Sequence, residues 1–371
     1  MAHRNIPVCS APVSGDAACD AIRHDRLSVA GRVIPNATVS GYGPADLQSA
    51  YALPSATLGV GQVVAIVDAY DDPSALSDVN TYRSQFSIAQ LSACNGASTP
   101  CFSKVNQSGG TKYPRSNGGW AQEISLDLDM VSAACPNCSI LLVEATSATF
   151  TNLGTAVNEA AKLGATEISN SYGGGESSSD ASYDASYFKH PGVAITVSSG
   201  DSGYGVQYPA ASQYVTAVGG TSLTGSITAG WGETAWSKAG SGCSRYDAQP
   251  SWQFTTANIT GSCANRAVAD VAAVADPNTG VAVYDSYTYR GVGGWLVFGG
   301  TSVGSPLIAG VYALAGNAAK TVYGSYPYSN TGALNDVTVG SNGSCANVLC
   351  NAGSGWDGPT GLGTPNGTGA F

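Results

Sequence analysis

Gly61 to Ala69 reads GQVVAIVDA, an unbroken apolar, β-branched run that closes on an aspartate, and its reading decides the fold. A run with no polar face needs cover on both sides, as a strand has in a parallel sheet sandwiched between helices. Working outward, Ser139 to Glu144 (SILLVE), Thr166 to Tyr172 and Val193 to Ser199 (VAITVSS) predict further buried strands. Trp120 to Ala134, Asn152 to Leu163 and the small-residue stretch Val303 to Ala319 carry helical spacing. Strands alternating with helices predict an α/β fold: a doubly wound, mostly parallel sheet with helices on both faces. Ligands of such sheets bind beyond the carboxyl ends of the strands, so the loops after Val67, Tyr172 and Ser199 are where chemistry is expected.

Residues 1 to 40 show no sustained periodicity and read as an N-terminal extension or remnant tail, stapled by Cys9 and Cys19. Residues 41 to 371 read as a single domain, opening with the turn and short helix of Gly41-Tyr42-Gly43-Pro44-Ala45-Asp46-Leu47. No internal repeat and no second folding unit is evident. The ten cysteines fall into five close pairs, Cys9/Cys19, Cys94/Cys101, Cys135/Cys138, Cys243/Cys263 and Cys345/Cys350. That pattern favours five loop-closing disulfides formed in an oxidising compartment, and hence a secreted, extracellular protein. Cys135-Pro-Asn-Cys138 could also be a redox or zinc motif, but zinc needs a second such pair or nearby histidines. Charged residues are 11 % of the chain and the formal net charge is −10. Nucleic acid and anionic membrane both require clustered lysine and arginine, so neither is expected as a partner. No apolar run approaches the ~20 residues of a membrane span. The first residues carry no signal-peptide stretch, so secretion implies a signal already removed. Asn36, Asn106, Asn258, Asn342 and Asn366 stand in glycosylation sequons, which matter only in a eukaryotic source.

The chemistry starts at Gly299-Gly300-Thr301-Ser302-Val303-Gly304-Ser305-Pro306. A serine between a glycine turn and a helix start has unpaired N–H groups beside it and suits a nucleophile, although a serine there can equally cap the helix. None of the three histidines is a convincing base for it. His3 and His24 lie in the tail, and His190 sits before a Pro-Gly turn with no glycine-rich surroundings. Carboxyl groups fill the gap. Glu123 and Asp127, in Trp120-Ala121-Gln122-Glu123-Ile124-Ser125-Leu126-Asp127, share one helical face. They could form a proton-sharing pair in which Glu123 is the base toward Ser302 and Asp127 orients it. A solvated acidic face, extended by Asp129, is the plainer reading. Asp201, in Ser198-Ser199-Gly200-Asp201-Ser202-Gly203, ends a strand and, while protonated, could donate to a developing oxyanion; otherwise it is a turn aspartate. At acid pH a histidine near pKa ~6.5 is protonated and useless as a base, whereas a glutamate near ~4.3 is poised.

Taken together, these segments resemble the sedolisin family of serine-carboxyl peptidases, in colinear order from Gly41 to Asn366. The resemblance rests on Glu123-x-x-x-Asp127, Ser171-Tyr172-Gly173, Ser199-Gly200-Asp201-Ser202-Gly203, Tyr208-Pro209-Ala210-Ala211-Ser212, Gly300-Thr301-Ser302-x-x-x-Pro306 and Gly355-Trp356-Asp357-Gly358-Pro359. It implies a subtilisin-like fold and a secreted, acid-acting endopeptidase working through an acyl-enzyme on protein or peptide substrates. Ser302 would be nucleophile, Glu123 base, Asp127 its partner and Asp201 the oxyanion acid, with Ser171, Tyr172 and Gly173 lining the substrate cleft. Tyr172 and Gly299 depart from the usual tryptophan and serine, and the family's long prosegment is not recognisable in residues 1 to 40. The resemblance also implies one structural calcium ion (Ca2+), held by Asp336, Asp357 and the carbonyls of Val337, Gly353 and Gly355, and a monomeric chain. A tripeptidyl-releasing exopeptidase on the same scaffold, an inactive secreted binding module and a subtilisin using Asp68 and His190 are the alternatives.

Overall fold

Every side chain from Val64 to Ala69 is buried, so both rows of this strand are covered, as its unbroken apolar run requires. The computed structural model of the chain describes residues 2–34, 38–95 and 100–371; the Asn36 sequon lies outside them. Val63–Ala69 is central in a nine-stranded sheet. On one side it pairs in parallel with Ser139–Ala145, followed by Cys101–Asn106 and Ser92–Ala93. On the other side come Glu167–Asn170, Ala194–Ser198 and Thr216–Ser226, also parallel. Thr216–Ser226 then pairs in parallel with Val271–Val274 and antiparallel with Gly230–Ala235. The expected doubly wound, mostly parallel sheet is therefore present.

Three helices frame it. Phe150–Lys162 packs on Val63–Ala69 and Ser139–Ala145, while Gly118–Ala134 and Gly304–Ala315 pack on each other and on the strands. The Asn117 carboxamide caps the second helix by accepting from Gly119 and Trp120 N–H. Gly316, with φ +63°, ends the third helix short of the expected Ala319. One expected strand divides: Glu167–Asn170 stays in the sheet, and Tyr172–Gly175 turns out to pair antiparallel with Gln207–Tyr208 and Ala18–Cys19. All five disulfides join the cysteines that lie close in sequence, Cys135–Cys138 among them.

The first forty residues differ from the expected tail. Ala2–Pro7 and Ile22–Leu27 form an antiparallel pair, and Ile22–Leu27 joins the hairpin Val281–Tyr289/Val292–Gly299 through Gly299 and Phe298. Val8, Ala17, Cys19, Asp20, Ala21 and Ile22 are buried. The buried Arg23 guanidinium binds Asp25 at 2.6 Å and the Gln122 amide oxygen at 2.9 Å. The segment lacks a periodic pattern because its strands are short and each is covered by a different neighbour.

Several carboxyl groups are buried with little compensation. Asp72, Glu167 and Asp285 are pushed up to about 7, and Asp68 to about 8, in each case first by burial. In the unfolded chain the same groups titrate near ~4. Above that value the unfolded chain releases protons that the folded one keeps. Stability is then greatest below about pH 4 and is lost as pH rises through about 7 to 8. Scanning calorimetry, with EDTA in both samples, is expected to give a lower unfolding midpoint at about pH 8 than at about pH 4; the reverse order would contradict this account.

Candidate active site

Ser302 stands where the Val292–Gly299 strand turns into the Gly304–Ala315 helix. Gly300 makes the turn with φ +95°. A Cβ there would lie 1.9 Å from the Asp20 carbonyl oxygen and 2.5 Å from Asp201 Oδ2, so only glycine fits. The helix is capped at Val303 without a side-chain bond, which leaves the Ser302 hydroxyl free of a capping duty. It is buried and donates to the Ser171 carbonyl at 3.3 Å. Its N–H points to the Asp20 carbonyl at 3.4 Å.

Glu123 and Asp127 lie one turn apart on the Gly118–Ala134 helix, which is buried along its whole length from Gly119. The solvated acidic face is therefore ruled out for this helix; Asp129 too is buried and accepts from Tyr284 N–H at 2.9 Å. Burial raises Glu123 well above the carboxylate range, the charges of Asp127 and Asp68 add to it, and the nearby Ser302 hydroxyl opposes it. Asp127 is raised by burial and then by Asp68, opposed by its hydrogen bond from Ser171 and by the adjacent Glu123 carboxyl. Its Oδ1 accepts from Ser171 Oγ at 2.9 Å. The Ser302–Glu123 approach is close but falls short of an aligned hydrogen bond: neither Glu123 oxygen has a geometrically complete partner, and the Ser302 proton goes to Ser171 instead.

Asp201 reaches the same point from the end of the Ala194–Ser198 strand. Its Oδ1 accepts from Thr301 N–H at 2.7 Å and Thr301 Oγ1 at 2.9 Å, while Oδ2 has no partner. Burial, and then the Asp20 charge, push it well up. Ser302, Glu123, Asp127 and Asp201, far apart in sequence, thus converge on one spot.

Two acids at this spot escaped the sequence reading. Asp68, considered only as a subtilisin-type aspartate, is buried with both oxygens unpartnered beside Glu123 and Asp127. Asp20, in the presumed tail, is buried, accepts from Ser198 Oγ at 2.7 Å and is pushed up to about 7, chiefly by burial. The Cys9–Cys19 disulfide was the available signal, since a free tail has no need of a staple. Ser171, Tyr172 and Gly173 line the same place: Tyr172 pairs with Cys19 and Gly173 with Ala18. The histidines are engaged elsewhere: His3 stacks on His24, His24 meets Asn5 and His190 meets Asn158.

At the C-terminal loop, Asp357 is buried and Asp336 exposed. Asp357 accepts from Gly353 and Thr360 N–H, and Asp336 from Gly355 N–H. Asp357 is pushed up to about 7, first by burial, with the Asp336 charge adding to it. Among the described residues neither carboxylate is in an ion pair. Two carboxylates sharing one glycine-rich loop, with no counter-charge, form a donor set that fits a hard divalent cation. Trp356 anchors the loop, buried and donating to the Ala269 carbonyl at 2.7 Å. Two carboxyl triplets, Asp72–Asp78–Asp285 and Glu176–Asp180–Asp247, lie elsewhere. Of the sequons, the Asn258 amide is committed to the Ser354 and Trp356 carbonyls, and Asn342 is buried.

Residues 97–331 match the model of the subtilase family. The chain is 33% identical to kumamolisin of Bacillus sp. (strain MN-32), over 90% of this chain and 63% of that protein. It is 26% identical to sedolisin of Pseudomonas sp. (strain 101), over 90% of this chain and 61% of that protein. It therefore spans about three fifths of the length of these relatives. The solved structure of Pseudomonas sedolisin, a serine-carboxyl proteinase complexed with two molecules of pseudo-iodotyrostatin, superposes with a TM-score of 0.73 at 26% identity, covering 89% of this chain and 96% of that one.

Proposed function

The chain belongs to the subtilase family, in its sedolisin branch, and on that premise we propose that it is a secreted, acid-acting serine-carboxyl endopeptidase. The observation that carries the reading is the meeting of a buried serine, two buried acids one helical turn apart and a third acid with an unpartnered oxygen. Ser302 attacks the peptide carbonyl, Glu123 takes its proton, and Asp127 holds Glu123 and shares its charge. The Ser302 N–H and protonated Asp201 receive the oxyanion. The acyl-enzyme is then hydrolysed with Glu123 as base toward water. Ser171, Tyr172 and Gly173 carry the backbone edge, paired in this structure with Ala18 and Cys19, to which an extended peptide would add. The five disulfides favour an oxidising, extracellular setting. A monomer acting on protein or peptide substrates suffices for this mechanism.

Two proton conditions set the pH range. Glu123 must be without its proton and Asp201 must keep one. Burial raises both, and Asp20 raises both further while it lies beside them. Activity falls on the acid side as Glu123 is protonated and on the alkaline side as Asp201 ionises. Against denatured protein in acid, Ser302→Ala and Glu123→Gln are each expected to lose about a thousand-fold or more in kcat/KM; near-full activity in either rejects the mechanism, and an inert parent favours a binding module. Mass spectrometry of the products separates internal cleavage from tripeptide release.

Asp201→Ala is expected to lose about 10²–10³ in kcat. Asp201→Asn retains a donor that cannot ionise, so the alkaline limb of its pH profile moves upward; an unmoved limb excludes Asp201 as the titrating group.

We further propose that calcium is held by Asp336, Asp357 and the carbonyls of Val337, Gly353 and Gly355. The ion would supply the counter-charge that the two carboxylates lack and pin the loop that carries Trp356. EDTA at neutral pH is expected to lower the unfolding midpoint, with calcium restoring it; equal midpoints would count against the site.

A further inference from the structure

The strand Tyr172–Gly175, which carries the backbone edge of the cleft, runs out into Glu176. This carboxylate, Asp180 on the short helix Asp180–Tyr183 and Asp247 on the strand Gly242–Ala248 each bring an oxygen within 4.8 Å of the other two. An ion bonded at about 2.4 Å to two opposed oxygens spans about 4.8 Å, so one calcium-sized cation can reach all three. Asp180 and Asp247 are buried. Glu176 is half-buried and lines a cavity of about 490 Å³ together with Tyr204 and Arg245, which gives an ion an entry and room for its waters.

Acids also cluster without an ion, and a fourth acid is what points to one here. Asp184, one turn after Asp180, is only 2 % exposed. Its Oδ1 accepts from the Tyr208 hydroxyl at 3.0 Å, and its Oδ2 has no partner; the nearby Ser212 hydroxyl and Gln213 N–H fall short of an aligned bond to it. Asp247 is raised first by burial and then by the charges of Asp184, Asp180 and Glu176, so the Asp184 carboxyl faces the same point. The donors that reach the triplet are neutral: Ser177 N–H and hydroxyl on Asp180 at 2.9 Å each, the Ser244 hydroxyl on Glu176 and Asp247, and the Arg245 N–H on Glu176. The Arg245 charge acts on Glu176 without an ion pair, and among the described residues none of the four acids is in one. The Asp72–Asp78–Asp285 triplet differs, since all three are buried and each of their oxygens accepts a hydrogen bond.

We propose that Glu176, Asp180 and Asp247 hold a second divalent cation, of the calcium class, with Asp184 behind them as the acid that adds charge to the site. Oxygen donors without imidazole or thiolate select a hard ion over zinc or copper. The site is separate from the loop of Asp336 and Asp357 and does not depend on the peptidase reading. Gly174 and Gly175 pair with Tyr208 and Gln207, and Tyr208 reaches Asp184. The ion therefore ties the outer end of the cleft edge to the Asp180–Tyr183 helix and to the strand stapled by Cys243–Cys263.

The test uses the Ser302→Ala chain, so that nothing is digested, stripped with EDTA at neutral pH and then dialysed against calcium alone. Equilibrium dialysis is expected to count two ions per chain, and one when Glu176→Gln and Asp180→Asn are added. Asp184→Asn is expected to weaken one of the two about ten- to a hundredfold. Asp336→Asn with Asp357→Asn is expected to leave one ion. Hydrogen exchange read by mass spectrometry needs no change at the site itself: calcium is expected to slow exchange in Tyr172–Gly175 and Gly242–Ala248, also when Asp336→Asn and Asp357→Asn are present. An ion count unmoved by Glu176→Gln and Asp180→Asn, or exchange in those strands unmoved by calcium, overturns the site. A single ion lost only with Glu176→Gln and Asp180→Asn upholds it and removes the C-terminal one.

Discussion

Removal of carboxyl groups from water is the constraint on which this molecule depends. Glu123, Asp127 and Asp68 are fully buried, and among the described residues no lysine or arginine offsets them. An unpaired charge in such a place is costly, so each group holds its proton further up the pH scale than it would in water. The cluster is stable when its members share protons, and that same sharing is what a proton-transfer site requires. Other polar groups of the helix bearing Glu123 and Asp127 find partners inside the protein: Gln122 meets Arg23, and one Asp129 oxygen accepts from the Tyr284 N–H.

The amino-terminal segment completes this desolvation. Its Arg23 guanidinium joins Asp25 to Gln122, and Gln122 donates on to Asp285 at 3.2 Å, so the strand is stitched to the residue next to Glu123. Asp20 closes the cluster from the cleft side and adds its own charge to Glu123 and Asp201. Loss of residues 18–20 from the cleft would therefore admit water and remove a negative neighbour at once. Both changes would lower the two acids toward ordinary carboxylate values.

Much of the architecture was legible along the chain. The runs at Gly61 to Ala69, Ser139 to Glu144 and Val193 to Ser199 became buried strands of one sheet, because an unbroken apolar run admits few other placements. The five cysteine pairs formed as sequence proximity suggested. Where the reading failed, short elements were at fault. The Thr166 to Tyr172 run divided at Ser171 because its second half is needed as an edge for other strands. The presumed tail carried two-to-six-residue strands too short for any period to emerge.

What the sequence determined by itself was local: which runs are strands, which cysteines pair, and which residue types stand in glycine turns and on one helical face. Whether Glu123 and Asp127 were a solvated surface or a buried pair could not be settled at that range, because both readings have the same spacing. Only the tertiary structure decided it, by packing the whole Gly118–Ala134 helix inside. It also decided that Asp68 joins the cluster and that Asp20 lies over Ser302. These contacts bring together segments from opposite ends of the chain, and their energy comes from shared exclusion of water, a property of the assembled fold that no stretch of sequence carries alone.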